Sequence, residues 1–141
     1  MKLKLNLISV ILITLFCSMN VNAQPKVTVT LCTGYQTPTE HQGDLIPNDN
    51  VTSFSSVGSN NNVFVVLKFE PFGKSVGLRT VITKDSPDGK FEQDRVASMS
   101  STQHNCSNDF SIKEPGKYCL RVVDEFDESI KYSDDYYFTV K

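Results

Sequence analysis

The chain has 141 residues, a formal net charge of −2, 39% hydrophobic and 21% charged side chains, and no tryptophan. That length suits one ordinary domain. A near-balanced, slightly acidic composition lacks the basic stripe that nucleic acids and anionic membrane surfaces require of a partner, and so argues against both.

Lys2 and Lys4 precede an apolar run over residues 5–16, interrupted by Asn6, Ser9 and Thr14, and a small-residue stretch follows, ending Val21-Asn22-Ala23. This is the layout of a secretory signal peptide, residues 1–23, with cleavage expected after Ala23. The run falls well short of the roughly 20 apolar residues that span a bilayer, which disfavours a retained membrane anchor. Bulky Phe16 stands where a lipobox needs a small residue before Cys17, so lipidation is not expected. The expected mature domain is 24–141. Only the two lysines leave with the signal, so 12 basic side chains then face 16 acidic ones, a net charge of −4.

From there the hydrophobic period is two. Val27, Val29 and Leu31 alternate with polar neighbours and read as a half-buried strand. Residues 33–50 are polar and broken by Gly34, Pro38, Gly43 and Pro47, long for a loop and suited to short edge pieces. Residues 52–57 are a weak strand candidate. Residues 63–69 are a strong one, with Val63, Val65, Leu67 and Phe69 on one face and Phe64 and Val66 on the other, which predicts a central strand. A turn at Pro71-Phe72-Gly73 leads to Val76, Leu78, Thr80 and Ile82. Asp85-Ser86-Pro87-Asp88-Gly89 is a turn, with Gly89 expected to take the positive φ. Residues 91–99 form a weaker strand, 100–108 a polar loop, and Phe110 and Ile112 alternate up to Glu114-Pro115-Gly116-Lys117, which reads as a tight hairpin. Tyr118, Leu120 and Val122 share a face, 124–135 is an acidic connection, and Tyr136, Phe138 and Val140 close the sequence. Seven or eight short strands without an amphipathic helix predict an all-β, antiparallel two-layer sandwich.

The phrase Pro115-Gly116-Lys117-Tyr118-Cys119-Leu120-Arg121-Val122-Val123-Asp124, between Phe110-Ser111-Ile112 and Tyr137-Phe138-Thr139-Val140, resembles the closing strands of immunoglobulin-like domains. From Val63 onward the order of strands and turns is similar to small secreted Ig-like domains of unknown function from Bacteroidetes. The resemblance implies an Ig-like β-sandwich over 24–141 and a tyrosine corner at Tyr118, whose phenol would reach a nearby backbone carbonyl. Antibody-type domains carry a cysteine two residues after that tyrosine. Here the position is Leu120, and Cys119 lies one residue earlier on the opposite face, so the inter-sheet disulfide of those domains should be absent.

After signal removal Cys32, Cys106 and Cys119 remain, an odd number in a compartment that permits disulfides. Cys32 and Cys119 both lie opposite their strands' apolar sets and could bridge if their strands are neighbours, with Cys106 as the alternative partner for either. His41 and His104 are the only histidines. With a cysteine they offer a metal or thiol-dependent centre, but the spacing lacks the close Cys/His pairs of structural zinc sites and no activated nucleophile is evident. The carboxylates of 124–135 match no EF-hand spacing and read as a solvated loop. Tyr132, Tyr136 and Tyr137 could stack on a sugar or a partner, although Tyr136 alternates with Phe138 as a core residue. Asn50-Val51-Thr52 and Asn105-Cys106-Ser107 match the N-glycosylation sequon.

The expectation is therefore an exported, non-enzymatic Ig-like module with no cofactor, metal site or catalytic residue, secreted, periplasmic or at the cell surface. It would bind an unknown protein or glycan, or serve structurally at the envelope, without nucleic acid and without stable membrane insertion once the signal is removed. The loops 33–50, 100–108 and 124–135 are its candidate binding elements. The alternatives are a small secreted metal- or thiol-dependent protein using His41, His104 and a cysteine, and a secreted inhibitor or effector.

Overall fold

The computed structural model describes residues 26–37, 44–55, 62–69, 75–99 and 105–141. Period-two alternation of β-branched and aromatic residues becomes ten strands among these: β1 (Val27–Cys32), β2 (Tyr35–Gln36), β3 (Ile46–Pro47), β4 (Ser53–Phe54), β5 (Asn62–Phe69), β6 (Val76–Lys84), β7 (Phe91–Met99), β8 (Asn105–Ser111), β9 (Gly116–Asp124) and β10 (Tyr136–Val140). Seven of them have five residues or more. They form a three-stranded sheet in the order β1-β5-β8, a five-stranded sheet in the order β4-β10-β9-β6-β7, and the small β2-β3 pair. All pairings are antiparallel except β4 with β10. The architecture is all-β, an Ig-like sandwich, with β5 in the middle of its sheet as its two apolar faces predict.

The inward faces make one core. Val27, Val29 and Leu31 of β1, Val63, Val65, Leu67 and Phe69 of β5, and Phe110 of β8 meet Leu78, Ile82, Tyr118, Leu120, Val122, Phe138 and Val140 of the opposite sheet. Phe138 stacks on Tyr118 and meets Phe54 edge-on, with ring centroids 5.5 and 5.8 Å apart. Leu120, at the position an antibody-type domain gives to cysteine, is fully buried among these side chains.

Both sides of the sandwich are stitched. On one, the Val51 amide donates to Leu31 of β1 (3.0 Å) while Thr52 and Phe54 accept from Thr139 and Lys141 (both 2.8 Å), so residues 51–54 cross between the sheets. On the other, Gln93 of β7 donates to the Ser111 carbonyl of β8 (2.6 Å) and the Arg95 guanidinium lies over the Phe110 ring. Within the sandwich the half-buried Asn108 Nδ2 donates to Thr80 Oγ1 across the gap (2.9 Å), giving the fully buried threonine hydroxyl a partner.

Four expectations need correction. The Pro115-Gly116 segment is not a hairpin: β8 pairs with β5 and β9 with β6 and β10, so this turn carries the chain from one sheet to the other. The loop expected over 100–108 is already strand from Asn105, because the polar side chains of β8 are paired through their backbone with β5. In the β6–β7 turn the positive φ falls on Asp85 (68°) and not on Gly89. Gly89 is demanded by proximity, since a Cβ there would run into the Lys84 carbonyl. The strand expected over 52–57 shrinks, among the described residues, to β4.

Candidate functional site

The strand directions put several connections at one end. β9 ends at Asp124 beside Leu78, β5 ends at Phe69 opposite Val27, and β7 ends at Met99 opposite Val76, while β8 starts at Asn105 opposite Lys68. The described connection at this end is 125–135, which joins β9 to β10.

It is tightly held. Asp124 Oδ1 accepts the amides of Phe126 (2.9 Å) and Asp127 (3.2 Å), and its Oδ2 accepts the Tyr132 hydroxyl (2.7 Å). Asp and Asn fold back on their own backbone in this way wherever the chain turns. Asp127 repeats the device on Ser129, accepting its amide (3.0 Å) and hydroxyl (2.6 Å). The Asp124 amide donates to the Ile130 carbonyl (3.0 Å), and Ile130 packs on the core. The Glu125 amide donates to the Gly77 carbonyl (3.1 Å), where a side chain on residue 77 would collide with Glu125. The chain then returns along β9: the Tyr132 amide donates to Val122 (2.9 Å) and the Val122 amide to Ser133 Oγ (3.1 Å). The Val27 amide donates to the Tyr132 carbonyl (2.7 Å), so the same residue ties the connection to the opposite sheet.

Two of the six carboxylates of 124–135 enter ion pairs among the described residues, Glu128 and Asp135. Glu128 reaches Arg79 Nη1 of β6 (2.6 Å) and lies 3.8 Å from Arg121 Nη2 of β9. Arg79 Nε also holds Asp94 of β7 at 2.6 Å, and Lys131 pairs with Asp135 at 3.3 Å. Hydrogen bonding lowers the Asp124 carboxyl, first from the Phe126 amide and then from the Tyr132 hydroxyl. Burial and then Asp124 push the Tyr132 phenol up to about 12. Among the described residues no three of these carboxylates and their Cys or His neighbours converge to hold a cation. What the loop does present is Phe126, 89% exposed at its apex.

Tyr118 Oη donates to the Glu114 carbonyl four residues upstream at 2.7 Å, the geometry of a tyrosine corner where the chain passes between sheets. Tyr132 is 8% exposed and committed to Asp124, so it is not a stacking platform, whereas Tyr137 faces outward. The expected bridge between Cys32 and Cys119 is corrected. The strands that carry them belong to different sheets, and no disulfide joins Cys32, Cys106 or Cys119 to one another. Cys32 Sγ donates weakly to the Phe64 carbonyl at 3.7 Å. Burial raises all three thiols, Cys106 to about 11. His41, His104, Cys17 and the signal segment with Ala23 lie outside the described residues. Of the candidate loop 33–50, the described part folds as the β2–β3 pair, and Tyr35 meets Phe64 edge-on at 5.9 Å on the outer face of the three-stranded sheet.

Sequence reasoning named the 124–135 segment but missed Phe126 and the Arg79–Glu128–Arg121 contact. An aromatic residue set between Glu125 and Asp127 in a turn was the available signal for the first. The second depends on which strands become neighbours.

No family model matches the chain, and no curated protein does. Solved structures resemble it at low identity. The CARDB domain of a Pyrococcus furiosus protein, crystallised in complex with two metal ions, aligns with a TM-score of 0.43 at 12% identity, over 84% of this chain and 90% of that one. A candidate lipoprotein from Bacillus anthracis aligns with a TM-score of 0.41 at 12% identity, over 78% and 85%. A β-glucosidase from Kluyveromyces marxianus aligns with a TM-score of 0.32 at 9% identity, over 82% of this chain and 15% of that one. None of these likenesses assigns an activity, and the strand order and tyrosine corner described above are what define the domain as Ig-like.

Proposed function

We propose that this chain is an exported, non-enzymatic Ig-like module that binds a macromolecular partner through the end of the sandwich carrying the β9–β10 connection. The observation that carries the reading is the braced 124–132 segment with Phe126 at its apex. Sandwich domains place recognition on end loops held by a rigid scaffold, and a loop already ordered loses little entropy on binding. Export rests on the signal-like layout of residues 1–23. A thiol-dependent chemistry is disfavoured because raised thiol pKa values oppose the thiolate that a nucleophile requires. A secreted inhibitor would be one form of the same binder, since a pinned, protruding loop suits insertion into another protein.

Two measurements test this. The intact mass of the exported protein should correspond to a chain starting at Gln24, and a retained leader would overturn the export reading. A photoreactive phenylalanine analogue placed at 126, and separately at Phe91 on the opposite end (53% exposed), should capture a partner from the producing cells at 126 and not at 91. Capture at neither position, or equally at both, would overturn binding through this end.

A further inference from the structure

Phe126 differs from an ordinary exposed apolar side chain in what surrounds it. Single exposed hydrophobics are common on soluble domains and carry no message by themselves. This one stands on a backbone fixed from both sides, with its own amide bound by Asp124 and the next turn closed by Asp127 on Ser129 and by Asp124 on Ile130. Its neighbours in sequence, Glu125 and Asp127, carry carboxylates that no ion pair among the described residues engages. Among the described residues, the cations that this segment engages are committed to other carboxylates: Arg79 to Asp94 and Glu128, Arg121 to Glu128, and Lys131 to Asp135. The segment 124–135 holds six acidic residues against Lys131 alone. An aromatic knob is thus held rigidly in a negative rim.

We infer, resting on the reading that this end binds, that the partner is a protein whose surface offers an apolar pocket rimmed by lysine and arginine, with Phe126 as the inserted anchor. Aromatic anchors filling desolvated pockets dominate interface energetics, and the surrounding charges set orientation and encounter rate. Phosphate-bearing partners, whether nucleic acids or anionic lipids, are repelled by the same carboxylates.

The test uses the full mature chain with the photoreactive phenylalanine analogue at 126, followed by mass-spectrometric mapping of the captured site and titration of the purified pair. The inference expects attachment to a protein segment with apolar residues flanked by Lys or Arg. It also expects a loss of affinity of tenfold or more for Phe126→Ala with an unchanged melting temperature, and no loss for Phe91→Ala. Affinity should fall as salt rises, and Glu125→Gln should flatten that dependence. Attachment to lipid or glycan, to a protein site without cations, or an affinity indifferent to Phe126→Ala would overturn the inference while leaving a binding end in place. Absence of any attachment at 126 would overturn the underlying reading as well.

Discussion

The Tyr132 hydroxyl donates to Asp124 Oδ2 across the mouth of the β9–β10 connection, at 2.7 Å. The pair makes the order of this loop depend on pH at both extremes. Asp124 is held below its ordinary value of 3.8, so what its carboxylate contributes is complete above that value and fades as the pH falls through the depressed one. Tyr132 is raised from 10.0 to about 12, so its contribution is complete below 10.0 and fades as the pH climbs through about 12. The amide resonances of Phe126 and Asp127 should titrate together with a midpoint below 3.8, and Asp124→Asn should abolish that titration. A shared midpoint at or above 3.8 would contradict the assignment.

Tyr118→Phe isolates the tyrosine corner, because only the hydroxyl is lost and the ring keeps its stack on Phe138. A hydrogen bond of this kind is worth about 1 kcal/mol net, and chemical denaturation should show a loss of that size with an unchanged m-value. Glu114→Ala should do less, since the acceptor is its carbonyl. An undiminished midpoint for Tyr118→Phe would show that the bond adds nothing to stability.

Two residues of the β6–β7 turn, Asp85 and Gly89, should differ in their tolerance of substitution. Gly89→Ala forces a Cβ against the Lys84 carbonyl and should destabilise by about 1–3 kcal/mol. Asp85→Gly removes a side chain from a left-handed backbone and should be close to neutral, within about 0.5 kcal/mol. Equal effects at the two positions would mean that the turn relaxes into another form.

Thiol counting tests the cysteine arrangement. Native protein should react slowly with a thiol reagent at neutral pH, because Cys32 and Cys119 are fully buried and Cys106 is raised to about 11. In denaturant without reductant, the mature chain should expose all three thiols. Finding only one would establish a disulfide and contradict the unbridged arrangement of Cys32, Cys106 and Cys119.

The fold was legible wherever one face of a strand is apolar. The alternation at Val27-Val29-Leu31, at Val63-Val65-Leu67-Phe69 and at Tyr118-Leu120-Val122 gave the strands, and their inward faces are the observed core. Legibility failed where backbone pairing alone decides, as in Asn105-Cys106-Ser107-Asn108, whose polar side chains conceal a strand held by β5. It also failed where sheet membership decides. Pro115-Gly116 reads identically as a hairpin or as a crossing between sheets, and Cys32 and Cys119 share the same outward parity whether their strands are neighbours or not. The acidic connection was named from composition, but Phe126 stood out only once the hydrogen bonds around it fixed its position.

The strand order has a kinetic consequence. The five-stranded sheet contains two pairs of strands consecutive in the chain, β6 with β7 and β9 with β10, whereas every pairing in the three-stranded sheet joins strands distant in sequence. Closing those long intervals must precede any reward from the contacts they make, which places such topologies among domains that fold in milliseconds to seconds. The five-stranded layer should therefore assemble first, with its apolar face bare until β1, β5 and β8 arrive. Conservative substitutions in β6 and β9 should slow folding, and those in β1 should mainly hasten unfolding.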